Sequence, residues 1–570
     1  MTTSAPSASQ EAQVDQALAE LVRGEAAWAA CDLPRRGRLL EQVRAATAAQ
    51  GEAWVRAAAA YKRLPDRSPL LGEEWISGPY PVLTGTTALA ASVRALAAGR
   101  SPVEGFPLAR APGGRVAVRV LPHGVHDRLL LSGFGAEVWM PPGVTARRVR
   151  EQAGLSLRRP ERTAGVGVVL GAGNITSIPV LDVLYELYAH NRVVALKLNP
   201  LIDGLFDVFS AVLAPLIDVG AVRILTGGAD VGTLLVHHPA VGHVHMTGSA
   251  ATHDTIVFGT GAEAARRRRN GTPLLTKPVT SELGGVSPTL VLPGAWSEAD
   301  LRFQAMHVAT QRLHNGGYNC VAAQLVVIGS DWPQKERFLT HLRAALAHAP
   351  ARPAYYPGSD DRVKQVLDAC PNARVLNERV LVEGVDPRDP GPLLTTESFA
   401  PVLGVVELPG DAREFLDTAV RAANERFAGT LGVNLIAHPR TLAGLGPALD
   451  AAIAELRYGT VAVNAWTGVG YLTANASWGA FPGHSVYDVQ SGIGVVHNAL
   501  LLDGPERTVV RGPFRPAPRS LLHGEFSLSP KPPWFVDNRT AASTGRLLAD
   551  FAAGPRWSAL PRIFASALRG

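Results

Sequence analysis

Cysteine, lysine, long apolar runs and a strong excess of one charge are all scarce in this chain, and each shortage excludes something. Only Cys31, Cys320 and Cys370 occur in 570 residues. Three scattered cysteines cannot build a disulfide framework or a cysteine-rich zinc site. In a reducing compartment they leave room for one reactive thiol. No uninterrupted apolar run reaches the ~20 residues that cross a bilayer. The first 13 residues lack the basic start and apolar centre of a secretory signal. A cytoplasmic protein is expected. The net charge of +6, spread over 570 residues, gives little reason to expect a nucleic-acid partner. The one dense basic run, Arg266 to Arg269, reads as a solvated surface loop. Lysine occurs only at Lys62, Lys197, Lys277, Lys335, Lys364 and Lys531. A lysine is therefore conspicuous where arginine is the habit, and Lys197 is the one to watch.

What is present describes a folded globular chain. Hydrophobic residues make up 46% and charged residues 18%, which argues against disorder. The length allows two or three domains. Residues 13 to 64 carry apolar side chains at helical spacing. Residues 65 to 85, rich in Pro and Gly, read as a loop before a helix from Thr87 to Ala98. Strand-like alternation appears at Val116 to Leu121 and Ala136 to Met140. From Gly165 onward short apolar strands alternate with helices: strands at 165–170, 193–197, 222–225 and 243–246, helices at 178–190 and 204–217. This pattern implies an α/β fold with a parallel sheet covered on both faces. Ligands of such sheets bind at the carboxyl ends of the strands. Asn174, Lys197 and Gly248-Ser249 all fall at such ends. A second α/β section runs from about 283 to 460. The tail beyond 505 is proline-rich, with a last helical segment near 546–569.

Two compact patterns carry chemistry. The first is Asn315-Gly316-Gly317-Tyr318-Asn319-Cys320, a thiol after a glycine turn. The second is Glu282-Leu283-Gly284-Gly285, a carboxylate beside two glycines that permit close backbone approach. A lone cysteine is usually a buried structural one, and a glutamate at such a place can be a simple surface residue. Together they suggest covalent chemistry on a carbonyl. A thiolate attacks an aldehyde, and the oxyanion needs preorganised donors. Asn174 can supply an amide, unless it is only a turn residue. Collapse of the oxyanion expels hydride, which requires a nicotinamide beside the sulfur. Hydrolysis of the resulting thioester requires a general base, and Glu282 fits.

These residues sit in motifs that resemble those of the aldehyde dehydrogenase superfamily over roughly residues 15 to 500. The motifs are Glu282 to Pro288, Asn315 to Cys320, Thr247 to Ser249 preceded by His238-Pro239-Ala240-Val241, and Glu397-Ser398-Phe399-Ala400-Pro401-Val402. The resemblance implies Cys320 as nucleophile, Glu282 as general base and Asn174 as oxyanion donor. It implies that Lys197 meets the cofactor ribose, that Gly248 and Ser249 approach the pyrophosphate, and that Glu397 and Phe399 hold the nicotinamide end of NAD or NADP. No metal is implied. The implied fold is a Rossmann-type dinucleotide domain, an α/β catalytic domain and a small β arm for oligomerisation, giving a homodimer or homotetramer. In this sequence these fall at 1–282, with an arm segment near 134–160, then 283–465, then a return at 466–504 with arm residues near 484–500. An extension at 505–570 has no counterpart.

Several positions depart from the family pattern. Ala172-Gly173 precedes Asn174 where the family has Pro-Trp. Lys197 is followed by Leu198-Asn199-Pro200, so the family's ribose-binding glutamate is missing, and NADP becomes possible beside NAD. His253 stands at a usual glycine, and Trp478 to Gly483 replaces the usual Pro-Phe-Gly-Gly stretch. The leading expectation is oxidation of an aldehyde to a carboxylate. A coenzyme-A-acylating relative, or a scaffold that has lost catalysis, are the alternatives. The tail's arginines and apolar residues at 546–569 suggest packing on the chain's own domain, with a membrane surface as the second reading.

Overall fold

Continuous apolar runs make the first sheet, because strands buried on both faces cannot alternate. In the computed structural model, which describes residues 7–570, five parallel strands lie in the order Val222–Leu225, Val193–Lys197, Val166–Leu170, Val241–Gly248 and Val279–Leu283. The short strand Gly492–Ile493 closes one edge in antiparallel fashion. Val168, Val194, Ala195 and Leu196 are fully buried at its centre. The helices Ala8–Ala29 and Leu33–Tyr61 cover this sheet through Leu18, Leu21, Trp28, Leu40 and Trp54. Ser7 and Asp32 cap them, satisfying backbone donors that the first turn leaves free.

The second sheet has eleven strands. Its parallel centre runs Thr460–Val463, Gly432–Ile436, Thr289–Val291, Leu325–Gly329, Val402–Leu408 and Arg379–Val385. The α/β class and the Rossmann-type and catalytic sheets are as the sequence leads one to expect. Their adjoining carboxyl ends bring the candidate site together.

Four regions differ from the sequence reading. The supposed loop at 65–85 is mostly helix, Leu71–Ser77 followed by Pro79–Ala97. Pro79 stands in the first turn, where its missing N–H costs nothing, so its proline marks a helix start. The arginine run lies on the helix Gly261–Asn270 rather than in a loop. Its last turn places positive charge at the negative end of the helix dipole, and Arg268 pairs with Asp254 at 2.6 Å.

The arm is arranged differently too. Gly135–Trp139 does not pair with residues 484–500. It pairs antiparallel with Arg507–Arg511, which itself runs parallel to Thr460–Val463. Residues 484–500 instead supply Gly492–Ile493 and the strand Val495–Asn498, which pairs with Ser477–Gly479. The start of the tail is thus an interior strand, with Val509 and Val510 buried, and the arm extends the chain's own large sheet. Pairing satisfies two edges that would otherwise expose a row of free backbone groups.

The end of the tail packs on the N-terminal helices. Phe551, Leu560 and Ile563 are buried together with Leu129 and Leu130 at their border, so the chain itself covers part of the apolar surface at 546–569, while Trp557 and Leu568 stay exposed. The stretch Pro200–Asp218 has the length and the mean hydropathy, 1.7, of a membrane span. It is broken into a tight turn Pro200–Leu205 and the helix Phe206–Asp218, whose Phe209, Val212, Leu213 and Leu216 fill the core.

Candidate active site

The helix Glu298–Leu313 leads straight into the turn that carries Cys320. Asn315, Gly316 and Gly317 take left-handed backbone angles, φ 56°, 70° and 83°. Such a run favours Asn and Gly, which explains the residue types of the motif. Asn315 is the hub. Its side-chain Nδ2 donates to the carbonyls of Asn174 (3.1 Å) and Tyr318 (2.8 Å). Its Oδ1 accepts from Arg352 and from the Tyr355 hydroxyl, both at 3.1 Å. Its backbone N–H donates to Glu73 at 2.9 Å. The turn bearing the thiol is therefore tied to the strand end bearing Asn174.

Asn174 is buried and its Nδ2 donates to the Tyr318 carbonyl at 3.1 Å. An amide nitrogen has two N–H groups, so one remains for a ligand. Cys320 is buried, and its Sγ approaches the Asn319 Oδ1 at 3.8 Å. Burial pushes its thiol well above the usual range, and the neighbouring Glu282 carboxyl pushes it further. Glu282, on Val279–Leu283, is itself pushed up by burial to about 7. Trp478 Nε1 donates to Glu282 Oε1 at 3.1 Å and favours its ionised form. Two buried acids facing each other at one point cannot both ionise cheaply.

Glu397 completes the group. Burial raises it to about 8, opposed by the nearby Arg312 guanidinium and reinforced by Glu282. Its Oε1 is buried with no partner in the protein. The carboxylate lies over Gly284, where an added Cβ would sit 1.8 Å from Oε1. Gly285 meets Gly429 in the same way, with a Cβ at 2.9 Å from its Cα. The two glycines therefore admit a carboxylate and a passing backbone. Arg362 donates to the carbonyls of Ser398 and Phe399, holding Phe399 at φ 41°.

The rim of the parallel sheet supplies the rest. Ser249 caps the helix Ala250–Phe258, and its Oγ accepts from Thr252 N at 3.2 Å. A helix N-terminus beside Gly248 is a natural anion site. His253 turns inward and is fully buried. Lys197 lies at the end of its strand, largely buried, and its amine is pushed down by burial and up by Asp203 and Asp230. The Asp203 Oδ1 is also buried without a partner. Gly173 has a reason that the sequence concealed: a Cβ there would stand 2.7 Å from Asn199 Cγ. The two departures at 173 and 199 fit one another. The orphaned oxygens of Glu397 and Asp203, together with Lys197 and the Ser249 cap, match the hydroxyls and phosphates of a dinucleotide.

On the other side of Cys320 lies a small apolar pocket. Trp466, Tyr471, Trp478 and Trp534 form its walls with Ile175 and Ile178. Sequence reasoning missed all four aromatic walls, and it missed Arg312, Asp203 and the Glu73–Arg352 pair. The only signal lay at Trp478, inside a stretch that departs from the family pattern.

With this geometry in view, the class is that of the aldehyde dehydrogenase fold. The structure of gamma-glutamyl-gamma-aminobutyraldehyde dehydrogenase from Burkholderia cenocepacia superposes with a TM-score of 0.59 at 19% identity, covering 88% of each chain. The NADP complex of NADP-dependent glyceraldehyde-3-phosphate dehydrogenase from Bacillus halodurans gives 0.59 at 16% identity, covering 88% of this chain and 91% of the other. The family model described as "Aldehyde dehydrogenase family" matches residues 183–359. The aminoacetaldehyde dehydrogenase of Pseudomonas aeruginosa is 26% identical over 223 residues, 36% of this chain and 41% of its own length. Matches to curated relatives such as these span half of the relative's length or less, 50% and 41% in two cases. In sequence the chain resembles the aldehyde dehydrogenase family over residues 183–359, and it shares the fold of these solved structures over 88% of its length.

Proposed function

We propose that this protein oxidises an aldehyde to a carboxylate, with Cys320 as the nucleophile and NAD as the acceptor. The observation that carries this reading is the meeting of a buried thiol and a buried carboxyl, Cys320 and Glu282, between an apolar pocket and the rim of a dinucleotide-type sheet. Cys320 yields its proton toward Glu282 and its sulfur bonds to the aldehyde carbon. The free N–H of Asn174 meets the oxyanion. A nicotinamide bound at the rim supplies the hydride acceptor. After releasing the thiol's proton to solvent, Glu282 takes a proton from a water whose oxygen bonds to the thioester carbon; the carbon–sulfur bond then breaks, Glu282 returns that proton to the sulfur, and the acid product ionises to the carboxylate. A buried Glu282 at this place favours hydrolysis over transfer to coenzyme A, which needs no hydrolytic base.

Lys197 and Asp203 would hold the adenosine ribose, Ser249 the pyrophosphate, and Glu397 the nicotinamide ribose. A carboxylate beside that first ribose accepts from a 2′-hydroxyl and repels a 2′-phosphate, which is the ground for NAD over NADP. A cytoplasmic homodimer or homotetramer belongs to the same proposal.

The test is an aldehyde panel with NAD and NADP, read at the reduced-nicotinamide band, on wild type and Cys320→Ala. We expect turnover only with the thiol present, and a carboxylate product without coenzyme A. Equal cofactor reduction by the two proteins would sink the assignment.

A further inference from the structure

The C-terminal segment brings one side chain to the catalytic pocket. Trp534 lines the pocket next to Cys320, and together with Trp466 it also lines a second, water-sized space behind it. Phe134, Phe303, His307 and Phe535 stand around that second space. Trp534 and Trp466 thus stand between the two spaces, and Trp534 is the one supplied by the C-terminal segment.

That segment is firmly mounted. Phe535 stacks on Phe303 and on His307, with centroids 5.2 Å and 5.3 Å apart. Val536 N donates to Thr310 Oγ1 at 3.3 Å. Upstream, Gln304 donates to the Phe514 carbonyl at 2.6 Å, and Arg515 pairs with Asp300 at 2.7 Å. All of these anchors lie on Glu298–Leu313, the helix that runs into the Cys320 turn. One helix therefore positions both the nucleophile and the wall opposite it.

The chemistry of the lining narrows the ligand. No Asp, Glu, Lys or Arg lines the pocket. A charged aldehyde would leave water there without a counter-charge, which is costly. Indole and isoleucine surfaces reward apolar area.

We infer that Trp534 is a specificity-determining residue, and that it closes the pocket around a compact, uncharged apolar aldehyde while barring longer ones from the chamber behind. This rests on the aldehyde dehydrogenase reading above.

The experiment uses the full chain with NAD and compares wild type with Trp534→Ala and Trp534→Phe. The substrates are tert-butylacetaldehyde, its isosteric cation betaine aldehyde, succinic semialdehyde and decanal. For wild type we expect kcat/KM for tert-butylacetaldehyde to exceed that of either charged aldehyde by tenfold or more. For Trp534→Ala we expect the ratio of decanal to tert-butylacetaldehyde to rise at least tenfold, chiefly through KM, with Trp534→Phe between the two. A preference for betaine aldehyde over its neutral isostere overturns the assignment. So does an unchanged ratio in Trp534→Ala whose near-UV circular dichroism matches wild type. Cys320→Ala gives a readout free of turnover. Quenching of its tryptophan fluorescence by tert-butylacetaldehyde, weakened at least fivefold by adding Trp534→Ala, supports the pocket even where wild type turns over nothing, and only the dehydrogenase reading then fails.

Discussion

Trp478 shows how one side chain can set the working pH of a site. Its indole N–H holds the Glu282 carboxylate at 3.1 Å, while burial pushes that group up to about 7. A hydrogen bond to the ionised form lowers a carboxyl's pKa, so losing it raises the pKa. A base works only when deprotonated, so thioester hydrolysis should fall as pH drops through about 7. Trp478→Phe should move that acid limb to higher pH by on the order of one unit. Single-turnover hydrolysis followed against pH would check this, and an unmoved limb would separate Trp478 from the base. Cys320 and Glu282 stood out as candidates in the sequence because each has glycines beside it in the chain, in the turn before Cys320 and directly after the strand that carries Glu282. Trp478 did not, because its partner lies on another strand, far away in sequence.

At the scale of elements, the tight turn Pro200–Leu205 accounts for a carboxylate that the sequence seemed to lack. The resemblance would put the ribose carboxylate in a Pro-x-Glu stretch after the lysine. Here Asn199 accepts from Leu201 N at 3.1 Å and starts the turn. The turn folds back, so that Asp203 lies near enough to Lys197 to oppose the lowering that burial imposes on its amine. Asp203→Ser should therefore raise kcat/KM for NADP relative to NAD by tenfold or more, measured with one aldehyde. An unchanged ratio would place the ribose elsewhere. Spacing rules assume one backbone path between two functional groups, and a turn of different pitch defeats them. The same limit hid the helices at 71–97. Their prolines were legible as punctuation, but only packing shows whether a proline opens a helix or breaks one.

On the scale of the whole molecule, the N-terminal helices and the catalytic domain meet across a buried charge cluster. Lys62 pairs with Glu74 at 2.8 Å, and both are fully buried. Arg352 reaches Glu74 at 3.1 Å and also pairs with Glu73. Glu73 in turn accepts the backbone N–H of Asn315. Removing one partner of such a group strands a charge away from water, which costs about 3–5 kcal/mol. Arg352→Met should lower unfolding stability by about that much in denaturant titration. It should also slow alkylation of Cys320 where the fold persists, because the Asn315 turn loses its tie to Arg352. Unchanged stability would mean that the cluster is solvated. Both parallel sheets were legible in the sequence as runs of apolar strands. This cluster was not, since Glu73 and Glu74 sit in a segment that reads as a loop.

Order of synthesis gives the strand Arg507–Arg511 a further meaning. Chains emerge from the ribosome N-terminal end first. Until this strand arrives, Thr460–Val463 and Gly135–Trp139 each present a bare edge to neighbouring polypeptides. Its two partners wait for roughly the last eighth of the chain, and Trp534 follows later still. A nascent molecule therefore carries a finished thiol behind an unfinished door. During that interval Cys320 meets electrophiles without the wall that Trp534 adds.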